Sequence, residues 1–268
     1  MIVIKLGGEV VKEDLNPHLL SDLKALVPKE GVVIVHGGGD IVTEFAEKLG
    51  KKQIFVKSPS GITSRYTDKE TVEIYTMVMS GLVDSRIVVN LQREGFKAVG
   101  LSGIDGELLK AERKKRLIIV DERGRKRIVD GGFSGQITEV NTKLLELLID
   151  GGYLPVVSPV AVGKEHEFLN VDSDRAASSI AVHLKAEKII FLTDVEGLLL
   201  EGKTVGKLNL REAESLLGRI GAGMDKKLLA SVEAVRGGVS EAIITTGLIE
   251  KPLFKAIEHE VGTVITLE

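Results

Sequence analysis

None of the 268 residues is a cysteine, which excludes disulfides, cysteine-based zinc sites and thiol nucleophiles together. The five histidines show neither metal-ligand nor triad spacing, so any chemistry must rest on Lys, Arg, carboxylates, hydroxyls and backbone. Long apolar runs are missing as well. The longest, such as Ile189-Ile190-Phe191-Leu192, fall far short of the roughly 20 residues that cross a bilayer, and a transmembrane protein is not expected. Met1-Ile2-Val3-Ile4-Lys5 reads as a strand from its second residue, with no charged leader, apolar stretch and cleavage site, so the expected address is cytoplasmic. Gln and Asn are few while 28% of residues are charged, a balance common in thermophile proteins. A formal charge of −3 argues against nucleic acid binding by the chain as a whole.

What is present is an alternation of short β-branched runs with longer amphipathic segments, the pattern of an α/β fold with a mainly parallel sheet. Strands are expected at 2–6, 32–36, 97–101, 153–157, 187–193, 241–245 and 262–266, each continuously apolar and therefore suited to burial on both faces. Helical spacing predicts helices near 15–27, 40–49, 68–94, 139–150, 172–184, 209–217, 225–236 and 252–259, the third broken into two near Gly81. Residues 107–138 depart from this rhythm and read as antiparallel hairpins. Within 110–127, nine basic residues (Lys110, Arg113, Lys114, Lys115, Arg116, Arg123, Arg125, Lys126, Arg127) face three acidic ones, a local +6 that leaves −9 elsewhere. With no linker or repeat, two directly joined lobes are expected, 1–170 and 171–268, the boundary falling near 158–172 where Ser158-Pro159 and Gly163 interrupt the pattern.

Gly197 to Thr204 matches the phosphate-loop expression G-x-x-x-x-G-K-[ST], but its variable positions are three leucines and a glutamate and no helix follows, so a short hairpin turning at Glu201-Gly202-Lys203 is expected instead. Better anion sites stand where parallel strands end: Lys5-Leu6-Gly7-Gly8 and His36-Gly37-Gly38-Gly39-Asp40. A lysine inside an apolar strand is costly without a partner. Farther on, Asn170 and Asp172 to Asp174 open a helix and could cap it or serve a site. Lys226-Lys227 begin another helix, where a cation opposes the macrodipole unless an anion meets it.

Taken in order, Lys5-Leu6-Gly7-Gly8, His36 to Gly39, Gly61 to Asp68, Asn170 to Asp174, Leu192 to Gly197 and Gly223 to Lys227 resemble the amino acid kinase family, whose nearest members are the acetylglutamate kinases. Ser64-Arg65-Tyr66-Thr67-Asp68 and the basic stretch look most like the LysW-aminoadipate/LysW-glutamate kinases of that family. The resemblance implies a three-layer αβα sandwich of the amino acid kinase or carbamate kinase kind. It implies transfer of the ATP γ-phosphoryl group, with Mg2+, to a side-chain carboxylate in lysine or arginine biosynthesis. The acceptor's amino group would be masked by a small acidic carrier protein, LysW, docking on the basic hairpins, and the enzyme would be a homodimer. By the same resemblance, Lys5 and Lys227 stabilise the transition state and Asp174 orients both. Gly7, Gly8, Gly38 and Gly39 offer N–H groups, Arg65 and Asn170 hold the acceptor, and Thr193 and Asp194 border the nucleotide. No resident protein-held metal is implied. An N-acetylglutamate kinase with the same residues, and a non-catalytic sensor on the same fold, stay open; the joint presence of Lys5, Asp174 and Lys227 disfavours the sensor.

Overall fold

The computed structural model describes residues 1–59 and 61–268. All seven Val/Ile-rich runs enter one eight-stranded sheet, in the order Lys207–Asn209, Thr263–Thr266, Glu241–Thr246, Lys188–Thr193, Ile2–Leu6, Val32–His36, Leu154–Ser158, Ala98–Ser102. Neighbours run parallel except Thr263–Thr266 beside Glu241–Thr246. Ile2–Leu6, Val32–His36 and Leu154–Ser158 are buried along their whole length, as strands covered on both faces must be.

Side-chain alternation divides the core. Ile2, Ile4, Leu6 and Ile34 pack with Leu19, Leu23, Met79 and Leu91 on one face. Val3, Val33 and Val35 pack with Ala176, Ala177, Ile180, Ala230 and Val235 on the other. Helices Pro17–Leu26 and Asp84–Arg93 therefore cover the first face, and Ser173–His183 and Ala222–Arg236 the second, giving the expected three layers. Lys5 shares a face with Val3 because strand side chains alternate. This parity sends its ammonium toward the helix Ser173–His183.

Several elements differ from the expectation. The helix pair near Gly81 is one continuous rod: Lys69–Thr76 passes through a π-helical turn, Met77–Val83, into Asp84–Arg93. The junction residues Met77, Val83 and Asp84 keep helical angles, so the chain absorbs Gly81 in a wider turn without breaking. In the basic stretch only Arg116–Val120 and Lys126–Asp130 form a hairpin, whereas Leu109–Arg113 pairs with Gly135–Val140. The hairpin belongs to an outer sheet ordered Thr63–Tyr66, Ile54–Lys57, Arg116–Val120, Lys126–Asp130. Ile54–Lys57 and Thr63–Tyr66 escape the apolar pattern because they are short and largely exposed. Lys207–Asn209 is likewise too short to register as a strand before its helix, Leu210–Leu216. Among the described residues no helix is long and apolar enough to cross a membrane.

The phosphate-loop lookalike is a two-stranded hairpin, Leu199–Leu200 against Lys203–Thr204. Glu201 and Gly202 turn it with φ of +51° and +78°, the pair of positive values a tight hairpin turn requires. Lys203→Ala and Thr204→Ala should therefore leave MgATP affinity within about twofold of wild type by calorimetry. A tenfold loss in either would return this loop to the nucleotide site.

Candidate active site

Parallel register gathers the strand ends. Leu6 lies beside both Leu192 and His36, and Leu192 beside Thr245, so Gly7-Gly8, Gly37 to Gly39, Thr193-Asp194 and Gly247 share the C-terminal edge of the sheet. This edge is where open α/β sheets take their ligands. Gly7 must be glycine, since a Cβ there would meet the Leu192 carbonyl oxygen at 2.9 Å. Its N–H donates to that same oxygen at 2.8 Å. The expectation that Gly7 offers its N–H to a ligand is thereby corrected: strand closure already uses it. The N–H groups of Gly8, Gly38 and Gly39 have no protein acceptor among the described residues. Gly38, at φ +142°, caps the helix Gly39–Lys48, whose N-terminal dipole favours an anion at the same point. Thr193 is buried, its hydroxyl donating to the exposed Asp194 at 2.9 Å.

Two lysines converge on one carboxylate. Lys5 and Asp174, each 4% exposed, meet with Nζ 2.6 Å from Oδ1, and Lys227 Nζ lies 3.8 Å from Oδ2. The Lys5 contact is a charge contact without the alignment of a directed hydrogen bond. Burial pushes the Asp174 carboxyl up, but the Lys5 and Lys227 charges outweigh it and hold the group below the usual carboxylate range. The neighbouring acid does different work. Asp172 caps the helix Ser173–His183 by accepting from the N–H groups of Asp174 and Arg175 at 3.0 and 3.1 Å, its other oxygen 4.0 Å from Lys226 Nζ. The cap fixes the first turn and so aims Asp174 at Lys5.

A cleft of about 290 Å³ opens beside these groups, lined by Gly38, Gly39, Arg65, Asn170 and Asp172. Lys5, Asp174, Lys227, Gly7, Gly8, Thr193 and Asp194 lie outside its lining, along the strand edge. Arg65 reaches in from the outer sheet, donating to the Gly39 carbonyl at 2.7 Å, Thr43 Oγ1 at 2.9 Å and the Gln53 side chain. It stacks on Phe55, 5.0 Å from the ring centroid. All its partners are neutral, and no carboxylate pairs with it among the described residues. Asn170 donates to Thr67 Oγ1 at 2.9 Å, holding the cleft wall against the outer sheet.

Two cleft cations escaped the sequence reading. Lys114 counts there only as part of a basic run, yet it is half-buried in the cleft wall without a carboxylate within ion-pair reach among the described residues. Burial lowers its pKa, as does Arg175, against a smaller opposing pull from Asp172. Arg175 also lines the cleft and is anchored by Glu233 through bonds of 2.8 and 2.6 Å. The lining thus holds Arg65, Lys114, Arg175 and Lys226 against the single carboxylate of Asp172. Such a surface is built for an anion.

A family model for the amino acid kinase family matches residues 1–246. A LysW-aminoadipate/LysW-glutamate kinase of Saccharolobus solfataricus is 46% identical over 266 residues, covering 99% of each chain. A Nitrosopumilus maritimus protein, named provisionally for the same two activities, is 52% identical over 268 residues, covering both chains fully. The chain belongs to the amino acid kinase family. Its fold agrees: smu.665 of Streptococcus mutans superposes with a TM-score of 0.80 at 25% identity, covering 100% of this chain and 98% of that one. Carbamate kinase of Giardia lamblia, solved with AMP-PNP, gives 0.69 at 16% identity over 99% and 98%. As a member of this family the protein is a phosphotransferase.

In this amino acid kinase the triad also bears on stability. Asp174→Asn leaves Lys5 buried without its counter-charge, and should cost about 3–5 kcal/mol in denaturant unfolding. The folded-state pKa of Asp174 is depressed, so its contribution is complete above the ordinary value near 3.9 and fades as pH falls through the lower folded value. The mutant and wild-type stabilities should therefore converge only in acid. Equal unfolding midpoints at pH 7 would remove the triad from the folding energetics.

Proposed function

We propose that this protein transfers the γ-phosphoryl group of ATP to the side-chain carboxylate of aminoadipate or glutamate whose amino group is masked by the acidic carrier protein LysW. The observation that carries the reading is the cleft's unbalanced positive charge, set directly beside the Lys5–Asp174–Lys227 triad. The acceptor carboxylate, with a pKa of roughly 4.3, is already ionised near pH 7 and needs no general base. The enzyme's task is to align two anions and neutralise the charge spread over the moving group.

In this reading the acceptor sits in the 1–170 lobe. Arg65 grips its α-carboxylate with support from Asn170, while Lys114 adds positive charge at the wall. The nucleotide would lie against the 171–268 lobe, bordered by Thr193 and Asp194, and the Mg2+ accompanying it would offset phosphate charge. Lys5 and Lys227 meet the phosphoryl oxygens from the two sides, Asp174 holds both ammonium groups in place, and the N–H groups of Gly8, Gly38 and Gly39 face the transferred group. A homodimer and a cytoplasmic site of action, in lysine or arginine biosynthesis, go with this reading.

The outer sheet supports a protein partner. Ile54, Phe55, Ile118 and Ile128 are exposed on it, and Lys115, Arg116, Arg123 and Lys126 are exposed cations without ion-pair partners among the described residues. Phe55, Thr63, Ser64, Arg65 and Leu117 of the same sheet line the cleft, so a carrier docked there could feed its cargo inward.

Lys5→Ala and Lys227→Ala should each lower kcat about 100-fold or more while the fold survives, the scale expected for lost transition-state electrostatics. Near-wild-type turnover in either would sink its role. The substrate assignment is tested by ADP release with hydroxylamine trapping of the acyl phosphate. Carrier-linked aminoadipate or glutamate should turn over, and Lys115→Glu, Arg116→Glu and Lys126→Glu combined should raise KM for the carrier most at low salt. Turnover of N-acetylglutamate alone would make this an acetylglutamate kinase and leave the outer sheet without a partner.

A further inference from the structure

Beneath the glycine loop lie two buried titratable groups that the transfer chemistry leaves unused. His36 is fully buried and Asp84 is 5% exposed. His36 Nδ1 lies 2.9 Å from the Gly37 carbonyl oxygen, which can only accept, so Nδ1 carries a proton. Nε2 then faces Asp84 Oδ1 at 3.5 Å, and neither atom has a directed hydrogen bond to another described residue. Buried polar atoms left in this state call for a physical account. Asp84 Oδ2 lies against Gly100, where a Cβ would come within 1.8 Å of it. Besides His36, the charged group acting on Asp84 is Asp105, from the turn after the edge strand Ala98–Ser102. Burial pushes the Asp84 carboxyl up, His36 pulls it back less, and Asp105 adds to the rise.

The element that carries Asp84 also buttresses the loop. Met79 and Val83 of the π-helical turn stand where a Cβ on Gly38 would meet them at 3.3 and 3.4 Å. Ser80 of the same turn lies 2.7 Å from Ser158, oxygen to oxygen, at the end of the adjacent strand. Consecutive residues Val83 and Asp84 thus meet Gly38 and His36. A π turn commonly marks a place where function has claimed helix geometry.

We propose that His36 and Asp84 share one proton and form a positioning pair that fixes the Gly37 carbonyl, and through it the aim of the Gly38 and Gly39 N–H groups. With that proton the pair is neutral overall, whichever partner holds it. Without it, a carboxylate faces the Nε2 lone pair in a dry core, the two repel, and the loop loses its brace. The protonated pair is therefore the active form, and turnover falls as the proton leaves on the alkaline side. The role of the N–H groups rests on the kinase reading above, whereas the shared proton does not.

The test combines nitrogen NMR of histidine-labelled enzyme with kcat against pH for wild type, Asp84→Asn and Asp84→Ala. The His36 Nδ1 should carry a proton, as its bond to the Gly37 carbonyl requires, and the alkaline fall in kcat should follow loss of the proton that Asp84 shares with Nε2. Asp84→Asn, whose amide can donate to Nε2 without titrating, should keep most activity and lose that alkaline limb. Asp84→Ala should lower kcat about tenfold or more with ATP KM nearly unchanged, the signature of misaimed groups rather than lost binding. Wild-type kcat in Asp84→Ala, a wild-type pH profile in Asp84→Asn, or an unprotonated Nδ1 overturns the proposal. Should Asp84→Ala fail to fold, the asparagine profile and the NMR decide it. A wild-type enzyme inert toward every acceptor would instead strike the kinase reading, with the NMR result still deciding the shared proton.

Discussion

Everything at the strand edge depends on one buried carboxylate held between two ammonium groups. Lys5 occupies a strand whose other four residues are apolar, and it is tolerable there only because Asp174 meets it at 2.6 Å. Asp174 in turn stays ionised at 4% exposure only because Lys5 and Lys227 both reach it. Three elements must therefore meet at one point: the strand Ile2–Leu6, the helix Ser173–His183 and the helix Ala222–Arg236. A buried ion cluster is a poor device for stability, since well-packed apolar side chains of the same volume commonly do as well or better. Its presence in the middle of the sheet accords instead with the role proposed for the two lysines toward an anion.

The cleft obeys the same logic in looser form. Arg65 bonds only neutral acceptors and Lys114 lacks an ion-pair partner among the described residues, while Arg175 and Lys226 have Glu233 and Asp172 nearby. On the proposed reading the charge that the protein leaves open would face the acceptor, and the charge it closes internally supports the walls. A dicarboxylic acceptor would, on the same reading, complement that division without any proton transfer, and among the described residues no histidine pairs with the triad.

Much of this was legible in the residues. Continuous Val/Ile runs gave all seven long strands of the central sheet, because strands buried on both faces cannot alternate in polarity. Lys5 stood out as a charge in such a run, and the false phosphate loop was exposed by its leucines. The position of Lys114 was not legible. The chain crosses there from the sheet containing Leu109–Arg113 to the one containing Arg116–Val120, so tightly that a Cβ on Gly131 would fall 1.4 Å from the Lys114 carbonyl oxygen. Which lysine of the run enters the cleft is decided by that crossing, a contact between segments that composition cannot register. The π-helical turn was hidden for a similar reason: its contacts with Gly38 are tertiary, and the local signal, Gly81, pointed to a break instead.

The basic stretch is also less uniformly available than its composition suggests. Asp121 is held down at about 2, first by the Arg127 guanidinium and then by the Arg125 N–H, with the Arg125 side chain and Arg123 N–H adding to the clamp. Arg125 and Arg127 thus brace the hairpin turn, and Lys110 is taken up by Glu107 and Glu139. The cations left open, Lys115, Arg116, Arg123 and Lys126, are exposed on the hairpin and its approach, on the sheet whose inner edge lines the cleft. In a chain that is net negative elsewhere, this would concentrate attraction for the proposed acidic partner on the outer sheet and repel it from the remaining surface. Orientation would then be set during encounter, before any close contact forms, and the strength of final docking would fall to the exposed Ile118, Ile128 and Phe55 among those charges.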